Sequence, residues 1–163
     1  MSFEQILVIL IIALPLAGFL TTAIVGRRLG RNAFWIPVGA AVASWAIAMV
    51  VIATFHDNIY GSDFGLEVTL WQWIPAGQLR VDFGFFLDNL TAVLLIVVTT
   101  IGMLVHVYSI GYMQHDPGRW RFFAYLNLFM VSMLILVLAD SWLVLFLAWE
   151  LVGLSSYLLI GFW

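Results

Sequence analysis

The chain has 163 residues, of which 64% are hydrophobic and 9% charged, with a mean hydropathy of +1.10. Soluble globular domains carry about 45–50% apolar and about 25% charged residues, so this composition excludes that class and points to an integral membrane protein. Six arginines and no lysine stand against nine acidic residues, a net charge of −3 without a basic patch to neutralise phosphates, so no nucleic-acid partner is expected. Cysteine is absent, which excludes disulfides, thiolate metal sites and cysteine-ligated iron–sulfur clusters within the chain. Eight tryptophans fit anchoring at the membrane interface.

Five apolar runs are long enough to span, at residues 5–25, 34–55, 90–110, 122–139 and 142–163. A helix needs about 20 residues to cross the hydrocarbon, and an isolated span must satisfy its backbone internally, so each run is expected to be helical. The first run begins after acidic Met1-Ser2-Phe3-Glu4 and is followed, not preceded, by Arg27-Arg28. That charge order reads as a retained helix rather than a secretory signal.

Residues 56–89 form the one sizeable segment outside the membrane, with "VTLWQWIPAGQLRVDFGFFLD" at its heart. Leu79, Val81, Phe83 and Phe85 alternate with Arg80, Asp82 and Gly84, and Pro75-Ala76-Gly77-Gln78 interrupts the run. This pattern predicts a short β-hairpin lying on the outer surface, against the plainer reading of an aromatic interfacial loop. Asp88 is placed to cap the third span, since its carboxylate can accept from the free N–H groups of the first turn.

In the third span Thr99, Gly102, His106 and Ser109 recur at spacings that put them on one helix face. His106 has a side chain whose reference pKa of about 6.5 suits proton shuttling, although a lone membrane histidine more often hydrogen-bonds an adjacent helix. Asn127 in the fourth span is expected to bond between helices. The fourth and fifth spans meet at Ala139-Asp140-Ser141, a tight connection of an αα-hairpin. Asp140 there reads as a solvated turn residue, with a role at a proton exit as the sharper alternative. His115-Asp116-Pro117-Gly118 reads as a turn, too weak a pattern for a metal site.

Arg27, Arg28 and Arg31 lie between spans one and two, and Arg119 and Arg121 between spans three and four. Only Arg80 lies on the other side. The positive-inside rule then puts the N-terminus outside and the C-terminus in the cytoplasm.

Glu150 is the charge that composition does not explain. It is the ninth residue of the fifth run, about 12 Å below its start at 1.5 Å per residue. A charged side chain at mid-bilayer costs about 2.5–3.5 kcal/mol on insertion scales, and such residues are functional hypotheses by default. A carboxyl in low dielectric resists ionisation, and one poised near neutrality can load and release a proton. Gly153, Tyr157 and Gly161 follow at +3, +7 and +11, within about 60° of Glu150 on the helical wheel. Small residues on that face admit a close neighbour, so the expectation is an inward-facing site, with the Tyr157 hydroxyl reachable through a water. The bland alternative is a buried glutamate that only fixes packing.

"LVHVYSIGYM" (104–113), "HDPGRWRFFAYLNLFMVSMLILVLADSW" (115–142) and "WELVGLSSYLLIGFW" (149–163) closely resemble subunit L of respiratory NADH-quinone oxidoreductase, complex I, and its mitochondrial counterpart, NADH dehydrogenase subunit 5. "VDFGFFLDNLTAVLL" (81–95) looks like the same family, so the strong resemblance covers roughly half the chain. It implies an all-α integral membrane fold with a short outer β-hairpin, the N-terminal part of a larger antiporter-like bundle related to Mrp-type cation/proton antiporters and built from inverted five-helix repeats. Residues 1–163 are then a transmembrane fragment. The resemblance further implies proton translocation, with a glutamate of the fifth helix paired to a lysine of the seventh. Glu150 falls on that glutamate position, while the lysine is outside this sequence. Leu151 departs from the family, where many relatives carry glycine, which implies altered packing beside Glu150.

The implied function is that of a proton-translocating subunit of the NADH-quinone oxidoreductase of a bacterial plasma membrane. His106, Tyr157 and Asp140 would support Glu150. No cofactor is expected in this chain; NADH, FMN, iron–sulfur clusters and quinone belong to partner subunits, and the partners are other complex I membrane subunits and the lipid bilayer. A Mrp-type antiporter subunit and a purely structural membrane subunit are the alternatives. A segment lacking the partner lysine is not expected to pump alone.

Overall fold

The computed structural model describes residues 2–54, 65–76 and 79–163, with backbone only at 31, 75–76 and 79–80. The acidic positions Asp57 and Asp63, and the Gly77-Gln78 part of the expected hairpin break, lie outside the described residues. Five helices are each long and apolar enough to cross a membrane. They are α1 (Phe3–Leu29), α2 (Trp35–Thr54), α3 (Asn89–Tyr112), α4 (Arg119–Leu138) and α5 (Trp142–Ile160), with a 3-10 turn at Gly30–Asn32. Strands β1 (Leu66–Ala76) and β2 (Leu79–Leu87) form an antiparallel hairpin between α2 and α3. The molecule is thus a helical integral membrane protein with, among the described residues, one small sheet.

Helix ends follow local chemistry. Ser2 and Gln5 form a reciprocal capping box at the start of α1, which also has Glu4 in its first turn and Arg27 and Arg28 in its last, charges that complement the helix dipole. This is why α1 extends beyond the apolar run on both sides. Asp88 caps α3 as its position predicts: its Oδ1 accepts from the Thr91 amide at 2.8 Å, and the Thr91 hydroxyl accepts from the Asp88 amide at 2.6 Å. Loss of an N-cap side chain costs about 1 kcal/mol. Asp88→Ala should lower the thermal stability of the assembled protein measurably, and Asp88→Asn should restore most of it. Equal losses in both variants would show that the carboxylate's charge, not its capping geometry, matters.

The hairpin departs from the expected surface strip. Val68 of β1 and Phe85 and Leu87 of β2 are fully buried and join the main core with Val8 and Ile11 of α1, Leu95 of α3 and Leu134 and Leu138 of α4. Register shifts between Thr69 and Trp71 and between Gln72 and Ile74 break the alternation. Such bulges add twist and re-aim side chains; here Trp71 remains exposed and stacks on Phe83 at 4.5 Å between ring centroids. Phe85 pairs with Ala139, and the Asp140 amide donates to the Gly84 carbonyl at 3.4 Å, tying the hairpin to the α4–α5 connection.

Helix α4 sits at the centre of the bundle, against α1, α2, α3 and α5. Gly18 marks a close approach: a Cβ added there would lie 2.9 Å from the Ala40 Cβ of α2 and 3.0 Å from Asn127 Oδ1 of α4. The polar ties between α1, α2 and α3 fall on residues that the sequence did not single out. The Ser44 hydroxyl donates to the Ile11 carbonyl at 2.6 Å, and Trp45 Nε1 donates to Thr100 Oγ1 at 3.1 Å. Among the described residues, Asn127 does not bond between helices as expected. Its amide donates to the Phe123 carbonyl of its own helix at 3.3 Å, while Oδ1 rests against Gly18, because that approach leaves no room for a donor.

Candidate functional site

Helix α5 sits at the edge of the bundle, packed on α4 and touching β2. Val144, Ala148 and Ser155 are buried on one side. The opposite side carries Phe146, Trp149, Glu150, Gly153, Leu154 and Tyr157, all exposed. Trp142 and Trp163 are exposed at the two ends, about 30 Å apart along the axis, as interfacial anchors are. Of the aspartate, glutamate and arginine residues in the five helices, only Glu150 lies more than a turn from a helix end.

The expected inward orientation of Glu150 is not what the fold shows. Its face holds Gly153, Tyr157 and Gly161 together, as the 100° spacing requires, but no described helix covers it. The reason is that α4 takes the Val144–Ala148–Ser155 side, leaving the glycine-bearing face open. Tyr157, at 72% exposure, also lies beside Arg121, Tyr125 and Phe162, around a pocket of about 290 Å³ at the cytoplasm-predicted end. Asp140 is exposed beside Gly84 at the other end of α5, next to the cap Ser141, whose hydroxyl accepts from Val144 N at 3.4 Å.

His106 is separate from that face. It is buried on α3 together with Thr99 and Ser109, so the predicted stripe exists and faces the bundle. Its Nδ1 lies 2.7 Å from the Gly102 carbonyl of its own helix rather than bonding a neighbour. A carbonyl can only accept, so Nδ1 carries a proton; buried Nε2 finds no hydrogen-bond partner among the described residues. The ring borders an apolar cavity of about 300 Å³ between α3 and α4, reached by Leu159 of α5. Among the described residues no cluster of His, Cys, Asp and Glu could hold a metal ion.

Residues 73–123 match the family described as NADH-Ubiquinone oxidoreductase (complex I), chain 5 N-terminus. NADH-quinone oxidoreductase subunit L of Mycobacterium tuberculosis is 46% identical over 158 residues, which are 94% of this chain and 24% of the relative. NADH-ubiquinone oxidoreductase chain 5 of Trichophyton rubrum is 41% identical over 95% of this chain and 23% of its own length. The chain belongs to the subunit L and chain 5 family. It corresponds to the N-terminal part of that family and spans about a quarter of the length of these relatives. The same fold occurs in a chain of the membrane-bound sulfane sulfur reductase, an archaeal respiratory membrane complex, with TM-score 0.71 at 15% identity over 94% of this chain and 29% of that one.

Proposed function

We propose that this chain forms the N-terminal part of a proton-translocating, antiporter-like membrane subunit of an NADH-quinone oxidoreductase, and that Glu150 is the group that accepts and releases the proton. The observation that carries this reading is a lone carboxylate at mid-helix on an open, glycine-bearing face of α5. An ionised acid facing acyl chains is too costly to keep without a partner. The small residues beside it let another helix approach closely enough to supply one.

A cation brought against this face would hold the carboxylate ionised, and its withdrawal would favour proton uptake. The partner is a lysine on a helix beyond this sequence, and quinone reduction elsewhere in the complex drives its movement. Tyr157, two turns along the same face, would relay through a bound water. Asp140, about 15 Å along the axis towards the hairpin, would serve an exit. His106, one helix layer away, would support the path from inside the bundle through its free Nε2. NADH, FMN, iron–sulfur clusters and quinone are held by partner subunits.

Arg27 and Arg119 border one pocket, whereas the hairpin lies at the opposite end, where Gln5 Nε2 donates to the Glu67 carbonyl at 3.1 Å. That segregation supports an outside N-terminus, a cytoplasmic C-terminus and, for a bacterial protein, a plasma-membrane location. The names of the relatives favour an oxidoreductase complex over a stand-alone cation/proton antiporter.

The test is NADH-driven proton translocation by vesicles carrying the full subunit in its complex, with Glu150 or its glutamine variant. Wild-type translocation by the variant would overturn the assignment.

A further inference from the structure

A second pocket, of about 530 Å³, lies at the arginine end of the bundle, between the last turn of α1, the 113–118 turn and the first turn of α4. Arg27, Gln114, His115, Arg119 and Trp120 border it, together with Asp116. Arg119 is 7% exposed, and its guanidinium sits 4.9 Å from the Phe34 ring centroid, so it is a fixed part of the wall. The Asp116 carboxylate is already engaged: Oδ1 accepts from the Gly118 amide at 2.6 Å and Oδ2 from Trp163 Nε1 at 3.1 Å. Gly118 offers no side chain to cap α4, so the positive end of that helix also points into this region. The pocket therefore places the Arg27 guanidinium, the His115 imidazole and a helix N-terminus beside the buried Arg119, against one carboxylate whose two oxygens each already accept a hydrogen bond.

We propose that this pocket binds the phosphate of an anionic phospholipid headgroup. Guanidinium forks match phosphate oxygens, and basic pockets where helices leave the hydrocarbon suit lipid phosphates. What favours a lipid over a free phosphate is the surface leading away from Arg27. Ile24 and Leu20 precede it by three and seven residues on the same helix face and are 76% and 48% exposed. A lipid with its phosphate at Arg27 lays its acyl chains along that apolar track, which a soluble anion cannot use. The proposal does not depend on the role of Glu150.

The experiment is native mass spectrometry of the delipidated complex containing the full subunit, titrated with palmitoyl-oleoyl phosphatidylglycerol or phosphatidylcholine. Each arginine near a lipid phosphate contributes about fivefold in affinity. Arg27→Gln should therefore lower occupancy of one phosphatidylglycerol about fivefold, and His115→Glu should lower it in the same direction. Arg28→Gln, next along α1 but outside the pocket wall, should change it less than twofold. Equal effects of Arg27→Gln and Arg28→Gln, or equal retention of the two lipids, would overturn the site. Displacement of the bound lipid by millimolar inorganic phosphate would overturn the lipid assignment in favour of a free anion.

Discussion

Glu150→Gln is expected to reduce NADH-driven proton translocation through this subunit by on the order of 10²-fold, with the complex still assembled. Glutamine keeps the side chain's volume and hydrogen-bonding reach but cannot exchange a proton at any physiological pH. An acid–base group in an obligatory transfer step contributes about 10²–10⁴-fold to rate. Glu150→Asp keeps the titratable group one methylene shorter and should retain a measurable part of the activity. Glu150→Leu separates chemistry from packing. Replacing a mid-membrane charge by leucine gains about 3 kcal/mol on insertion scales, so a carboxylate tolerated only as a packing element should yield to leucine with activity intact and the subunit more abundant. The relay reading predicts abundance at or above wild type together with lost translocation. Pumping at wild-type rates in both the Gln and Leu variants would leave only the structural-subunit reading.

Gly18→Leu is expected to be the most damaging single substitution among the helix contacts. A Cβ at residue 18 already falls 2.9 Å from the Ala40 methyl and 3.0 Å from Asn127 Oδ1, closer than normal van der Waals contact. A leucine must therefore push α1 away from both α2 and α4. Overpacking of this kind costs typically 1–3 kcal/mol, and in the membrane no gain from burying apolar surface offsets it, because lipid is as apolar as the helix. A loss of 1–2 kcal/mol changes cellular abundance several-fold, so the assembled subunit should drop by that factor on quantitative immunoblots of membranes. Gly39 supplies the internal control, since nothing lies within 4 Å of a Cβ built there. Gly39→Leu should leave the level unchanged or raise it through better helix propensity. Equal levels of the two leucine variants would show that the Gly18 approach contributes nothing to assembly.

Five membrane helices, a hairpin between the second and third, and the capping of α3 by Asp88 were all legible in the sequence, because each rests on local chemistry: run length against bilayer thickness, residue alternation, and a carboxylate just before a first turn. Glu150 was legible as an anomaly for the same reason, since one charge in an apolar run needs no partner in view to stand out. Its exposure on the open side of α5 was not legible. Every face of a membrane helix is apolar, so the wheel groups Glu150 with Gly153 and Tyr157 without saying which side meets α4. Asn127 shows the same limit, because its bond to Phe123 rather than across helices depends on how closely α1 approaches at Gly18. The seating of Phe85 and Leu87 in the main core likewise follows from where α1, α3 and α4 leave space.

What the amino-acid order determined unaided is therefore the solvent each segment prefers and the places where helices begin, because transfer from water and terminal hydrogen bonding act over a few residues. Which face of each helix is covered, and by which neighbour, was decided only in the tertiary structure. Lipid and protein interiors are equally apolar, so the choice between them is made by steric fit, in which a glycine at one crossing outweighs the hydropathy of a whole turn.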